Sequence, residues 1–164
     1  MHVAMFQEVF AYNNWANKQL LQTLAPVNDT QLHTDIHNGI GSIHTTLVHM
    51  FSGIWIWRTR WQGGMPDTML QPQDFPTLEA IQERWETEEH LMHNFLATLH
   101  DEDLLREIRY IGTMVPGKIF TLPKWKTMLH LTNHLTQHRS EIAMNLTELG
   151  YSPGELGMNV FFNR

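Results

Sequence analysis

Residues 130–139 read HLTNHLTQHR, and this stretch predicts a long amphipathic helix near the end of the chain. Its histidines recur every four residues, at His130, His134 and His138. Because residues four apart share one face of an α-helix, about one turn from each other, these imidazoles follow one side of the helix. On a helical wheel at about 100° per residue, His138 lies nearest the apolar stripe, His134 next and His130 furthest. The predicted interior pair is therefore His134 and His138.

A pair of interior histidines has two interpretations, either two ligands of a metal site or polar side chains that only bridge the core and the solvent. Neutral imidazole is the commonest protein ligand for zinc and similar divalent metals. Three protein ligands leave a position for water or substrate, whereas four usually close the site. The spacing does not choose the third ligand among several other histidines. Two of these, His90 and His93, lie among glutamates, which favours a solvent-exposed position for them. The helical candidates are His44, His49, His90 and His93, with His33, His37 and His100 in predicted loops or helix ends.

Composition limits the function classes. A chain of 164 residues, 42% of them hydrophobic, predicts one domain spanning 1–164. The net charge of -6, from 11 Lys and Arg against 17 Asp and Glu, lacks the basic footprint of nucleic-acid binding. No apolar run approaches a membrane span of roughly 20 residues and the start lacks a signal peptide, so we expect a cytoplasmic protein without a membrane partner. Without cysteine, a metal must sit on histidine, carboxylate or water.

Hydrophobic spacing and capping residues predict four long helices. The first covers 4–24 and ends before Pro26, and the second runs from a Ser42 cap to Trp61. The third follows a Thr77 cap and continues to about Leu99.

The predicted fourth helix opens at Thr121, with Pro123 just inside, and stops at Gly150. Two β-favouring runs between residues 108 and 122, around Pro116-Gly117, predict a small β-hairpin or extended excursion before it. The predicted fold class is an all-α four-helix bundle, whose interior commonly holds metal sites. Its abundant large apolar side chains favour a homodimer.

Several well-known reaction motifs are missing from the chain. There is no H-E-x-x-H of the zincin proteases and no Glu-x-x-His, which di-iron carboxylate bundles need twice. No phosphate-binding glycine loop and no G-x-S-x-G elbow occur either, which removes support for nucleotide chemistry and serine hydrolysis.

Three segments resemble the DinB family, also described as DinB/YfiT-like metal-binding four-helix bundles. They are YNNWAN at 12–17, SIHTTLVHMFSGIWIWRTRWQG at 42–63 and NHLTQHRSEI at 133–142. The resemblance runs through nearly the whole chain, and the second and third segments, in this order, are its most specific part. It implies an all-α DinB/YfiT-like bundle.

The resemblance also implies a ligand set. The histidine of the L-V-H-M segment, His49, is the implied third ligand beside His134 and His138, while His44 and His130 fall outside the family's ligand positions. The family commonly has His-Arg-Gly-Gln after its second ligand on this helix, whereas this chain has Ser140 and Glu141 in place of the Gly and Gln. Arg139, Glu141 and Arg58 are candidate pocket charges with a surface role as the alternative, and Trp15, Trp57 and Trp125 are candidate pocket or core residues.

The resemblance implies one divalent metal ion per chain. Zinc or nickel is the first expectation, with iron, manganese or copper as alternatives. Imidazole suits zinc, nickel, copper and iron, so three histidines do not choose among them. Characterised members of the wider superfamily include thiol-dependent transferases and isomerases. The implied function is a metal-dependent enzyme, a thiol S-transferase or hydrolase-like protein, that acts on a small molecule with or without a low-molecular-weight thiol as co-substrate. The alternative is a non-catalytic metal-binding stress-response or interaction module.

Overall fold

A computed structural model of the chain describes residues 2–35, 39–113, 115 and 117–164. Within these residues it has six α-helices, two short 3-10 helices and one two-stranded sheet. The helices are α1 (Val3–Thr23), α2 (Asp29–His33), α3 (Ile43–Trp61), α4 (Leu78–Ala97), α5 (Lys124–Glu148) and α6 (Met158–Phe162). The 3-10 helices cover Pro72–Asp74 and Asp101–Leu105, and the strands are β1 (Glu107–Ile111) and β2 (Ile119–Pro123).

The four long helices α1, α3, α4 and α5 correspond to the four predicted helices. Each of them packs against two others, because α1 and α3 both contact α4 and α5. The apolar faces meet in one core that includes the fully buried Phe6, Phe51, Trp85 and Leu135. Burying side chains of this size contributes about 1.5–3 kcal/mol each, so the core is the main source of stability. The predominantly helical fold is confirmed, and none of the described helices has the length and apolarity needed to cross a bilayer.

The predicted caps explain where three of these helices begin or end. The Ser42 side chain accepts a hydrogen bond from the backbone N–H of Thr45, 3.1 Å away, at the start of α3. Thr77 does the same for Ala80 at the start of α4, over 3.2 Å. Gly150 follows α5 with a φ of 87°, a left-handed conformation that glycine adopts without steric cost.

The predicted start of the last long helix is wrong. Thr121 does not cap it, because residue 121 lies in β2 opposite Arg109 of antiparallel β1. The ladder continues to Pro123, and the N–H of Lys124 donates to the carbonyl of Arg106 over 2.9 Å. Strand pairing therefore keeps 119–123 extended and delays the helix to Lys124. The hairpin itself is confirmed, although Pro116 of its predicted turn lies outside the described residues.

The glutamates of α4 do not all face solvent as predicted. Glu88 is fully buried, and its carboxylate pairs with Arg58 of α3 at 2.8 Å and with Arg84 at 2.6 Å. Two guanidinium groups offset the cost of burying one carboxylate. Arg58, a candidate pocket charge, therefore joins α3 to α4.

Candidate metal centre

Three histidines from two helices meet between α3 and α5. His49 comes from α3, and His134 and His138 come from successive turns of α5. One ring nitrogen of each lies within 4.8 Å of those of the other two. The ring centroids are 4.6–4.8 Å apart, with His138 buried and the other two half-buried. The structure thus brings together the three residues that the resemblance implies.

The closest approach in this cluster is between two imidazole nitrogens. Nε2 of His49 and Nε2 of His134 lie 2.8 Å apart. Two lone pairs at this distance repel unless a proton or a cation lies between them. With metal–nitrogen bonds of about 2.0–2.1 Å, a tetrahedral ion would separate two ligand nitrogens by about 3.3 Å. A shift of about half an ångström between α3 and α5 side chains would accommodate it.

Burial keeps two of these imidazoles uncharged. The pKa of His49 is lowered to about 4, mainly by removal from water and also by the nearby His138, while Glu141 acts in the opposite direction. Removal from water likewise lowers the pKa of His134 to about 3, reinforced by His49, His138 and His130. Both rings are therefore neutral at pH 7 and present lone pairs, the form in which histidine binds metals.

Glu141 orients the third imidazole. Its Oε2 lies 2.7 Å from Nδ1 of His138, one turn earlier on α5. When Nδ1 carries the proton and donates it to the carboxylate, the lone pair of His138 is left on Nε2. Carboxylates commonly hold metal-binding histidines in this way and make them stronger donors. The sequence pointed to Glu141 only as a candidate pocket charge.

Gly53, one turn after His49, makes room for His134. A Cβ atom at residue 53 would lie 3.2 Å from Cε1 and 3.4 Å from Nδ1 of that ring. The same Nδ1 is buried without a hydrogen-bond partner. Sequence reasoning missed Gly53, although a glycine inside a predicted helix is a signal of close packing, since it costs about 1 kcal/mol relative to alanine.

Arg139 ties α5 to α1 next to the cluster. It is buried, and its guanidinium donates to Asn13, Asn17 and the hydroxyl of Tyr12 over 2.9–3.0 Å. It also donates to Thr136 over 3.1 Å. The YNNWAN run of α1 thus supplies the acceptors for the arginine that follows His138. Arg139 is a buried structural group between two helices rather than a surface charge.

The other histidines lie apart from the cluster. His44 is buried, with Nε2 2.7 Å from the carbonyl oxygen of Phe75. His90 and His93 are exposed on α4, as predicted from the glutamates around them. His130 is exposed against Trp57, and its ring centroid is 6.0 Å from that of His134. His33 and His100 are exposed as well, and His37 lies outside the described residues.

The three candidate pocket tryptophans differ in their surroundings. Trp57 is buried, stacks on Trp61 and contacts Tyr110 edge to face. Trp15 is half-buried against Phe161 of α6, and Trp125 is half-buried near the start of α5. Trp57 is the one that reaches the neighbourhood of the histidines, through its contact with His130.

Long helices that bring three imidazoles together, two of them kept neutral by burial, define a helical protein with a candidate metal centre. The DinB family model matches residues 1–161, and the chain belongs to the DinB family. It is also similar to Protein DinB of Bacillus subtilis (strain 168), with 23% identity over 163 residues. That alignment covers 96% of this chain and 94% of the relative. The family predicted from three sequence segments is confirmed.

Proposed function

We propose that His49, His134 and His138 bind one divalent metal ion per chain inside a four-helix bundle of the DinB/YfiT-like type. The observation that carries this proposal is the convergence of three imidazoles, two of them neutral, on one point between α3 and α5. Among the residues described, no fourth histidine or carboxylate joins the cluster. Three protein ligands with room for more are typical of catalytic rather than structural sites.

The donor set favours zinc or nickel, with iron, copper or manganese as alternatives. When bound, such an ion lowers the pKa of a coordinated water or thiol, so that a nucleophile is available near neutral pH. The protein contributes the geometry. Glu141 fixes the tautomer of His138, and the lack of a side chain at Gly53 lets His134 approach α3.

The proposed reaction class is transfer of a thiol to an electrophilic small molecule, or a related hydrolysis. Half-burial of His49 and His134 supports it, because a fully enclosed site would exclude a substrate. Trp57 and His130, which contact each other beside His134, are positioned to meet a bound organic molecule. The identity of the thiol and of the electrophile stays open in this proposal.

A second function is a non-catalytic metal-binding module for a stress response or an interaction. The observation favouring it is that the cluster joins two helices whose histidines lie 85 residues apart in sequence, as a structural crosslink would. A homodimer, a cytoplasmic location and a single domain over 1–164 are further predictions that accompany either function.

The experiment is a screen of metal-loaded protein against a panel of low-molecular-weight thiols with a generic chlorodinitrobenzene electrophile and, separately, an activated ester. We expect metal-dependent thiol consumption or ester cleavage that His138→Ala abolishes. The matched control is His93→Ala, because His93 is an exposed histidine away from the cluster. Full metal occupancy with no turnover and no exchangeable ligand on the metal would reject the enzyme and leave the binding module.

A further inference from the structure

Apart from the histidine cluster, the protein has a basic cleft where α3 ends and α5 begins, beside the β1–β2 hairpin. It has a volume of about 450 Å³ and shares no residue with the histidine cluster. Its charged lining consists of four cations and one carboxylate, namely Arg60, Arg106, Arg109, Lys124 and Glu107. This excess of positive charge stands out in a chain whose net charge is -6.

Arg60 provides a buried cation at this cleft. It is only 4% exposed, and among the described residues no carboxylate lies within ion-pair distance of it. One terminal nitrogen donates to the carbonyl oxygens of Ile111 and Pro66, while Nε has no acceptor. The guanidinium lies 4.8 Å from the Trp57 ring centroid and 4.9 Å from that of Tyr110. Carbonyls and aromatic faces offset part of the cost of burying this charge but leave it without an anion.

Lys124 places a second cation at the same wall. It is 7% exposed and is the first residue of the 25-residue helix α5. No side chain caps this helix start, and its first turn has no acidic residue. The positive end of the helix dipole therefore adds to the charge of Lys124.

Among the described residues, the negative groups nearby leave Arg60 and Arg109 without an ion pair. Arg106 pairs with Asp103 at 3.1 Å and with Glu102 at 4.0 Å, and Asp103 acts on Lys124 only at longer range. The last turn of α3 also ends here, and the partial negative charge of its carbonyls is unfavourable for an anion. Two of these carbonyls, those of Arg60 and Thr59, already accept hydrogen bonds from the N–H groups of Gly63 and Gly64. Exposed Arg109 forms no ion pair with any described residue.

We propose that this cleft binds a small anionic molecule through a carboxylate or phosphate group. Guanidinium and ammonium groups form their strongest hydrogen bonds with these anions. The volume falls within the range of about 300–1,000 Å³ that is typical of small-molecule sites. This anion-recognition site shares no residue with the histidine cluster, and its Lys124 lies about 15 Å along α5 from His134, as ten helical residues at about 1.5 Å each require.

The test is calorimetric titration of the full chain at low ionic strength, with inorganic phosphate in one arm and succinate in the other. We expect saturable binding of one equivalent of at least one of them, which also tells phosphate from carboxylate recognition. Because Arg60 is buried, the variant is the exposed Arg109→Gln, which should raise the Kd about tenfold, the loss of a single charged contact. Lys18→Gln, an equal charge change on the exposed face of α1, should leave the Kd unchanged.

A third variant separates this cleft from the histidine cluster. His138→Ala should bind the anion as the wild type does. Trp61 lines the cleft, so its indole N–H resonance in a nuclear magnetic resonance spectrum should shift on titration in both proteins. Absence of saturable binding in both arms would overturn the proposal. Equal weakening by Arg109→Gln and Lys18→Gln would also overturn it, since it would show only general charge attraction. Loss of binding in His138→Ala with full retention in Arg109→Gln would assign the anion to the histidine cluster instead.

Discussion

Removing the carboxylate beside His138 tests how far this chain's own residues tune the metal centre. Glu141 accepts a hydrogen bond from Nδ1 of His138 over 2.7 Å, and its side chain is only 19% exposed. In Glu141→Ala, the imidazole loses its orienting partner and the tautomer with a proton on Nε2 becomes accessible. That tautomer cannot bind a metal through Nε2.

The expected size of the effect follows from this contact. Loss of such an outer partner typically weakens metal binding about 10- to 100-fold, or about 1.4–2.7 kcal/mol. Glu141→Gln keeps an acceptor oxygen but removes its charge, and neutral hydrogen bonds are roughly half as strong as charged ones. We therefore expect a graded series in which Gln weakens zinc binding about 3- to 10-fold and Ala weakens it more.

The assay is competition for Zn²⁺ between the protein and a chromophoric chelator at pH 7.5. Glu148→Ala is the matched control, because it removes an equal charge from an exposed position on the same helix. It should bind zinc as the wild type does. Equal affinities for wild type, Glu141→Gln and Glu141→Ala would refute the idea that the carboxylate orients His138, and an equal loss in Glu148→Ala would reduce the effect to net charge.

Three further perturbations probe the neighbouring residues. Gly53→Val, which places side-chain atoms where the His134 ring lies, should abolish most zinc binding in the same competition assay while far-ultraviolet circular dichroism keeps its helical signal. Arg139→Lys, which cannot reproduce the planar fork that donates to four acceptors, should lower the free energy of urea unfolding by about 2–4 kcal/mol. Between pH 7 and pH 5, the free energy of unfolding of the metal-free wild type should fall by about 1–2 kcal/mol more than that of His49→Ala. The reason is that the pKa of His49 is lowered to about 4 in the folded protein, so the unfolded chain takes up the proton first. Burial raises the pKa of Glu89 to about 7, so this residue stabilises the folded state as the pH falls. It does so in both proteins and cancels in the difference between them. Equal pH dependence of the two proteins would contradict the low pKa of His49.

Local signals in the sequence were sufficient for most of the helix boundaries. Ser42, Thr77 and Gly150 act within one turn of themselves, so their capping roles follow from residue type alone. The start of α5 could not be found in this way. Thr121 has the chemistry of a helix cap, but its backbone is held by a strand partner, Arg109, twelve residues earlier.

The histidine cluster was predictable in part. The order of burial along α5, with His138 innermost and His130 outermost, agrees with the helical wheel. The wheel could not choose His49, because α3 is buried around most of its circumference and has no single apolar stripe. The family resemblance pointed to His49, and the structure brings it beside His134.

Residues whose burial depends on partners from another helix escaped prediction. Glu88 belongs to a glutamate-rich stretch, and its burial depends on guanidinium groups from α3 and α4. Arg139 is buried because three side chains of α1 accept its hydrogen bonds. The spacing of four between Arg84 and Glu88 favours their pairing, but the contacts with Arg58 and with the side chains of α1 cannot be inferred from spacing within one helix.

The most direct test of the central claim is the metal content of protein purified without a histidine tag. We expect about one divalent ion per chain in the wild type, with its loss in each of His49→Ala, His134→Ala and His138→Ala. His90→Ala and His93→Ala, which remove exposed histidines of α4, should keep the ion. Metal retained by folded variants of the cluster, or a wild type that takes up no metal after supplementation, would contradict the proposed site.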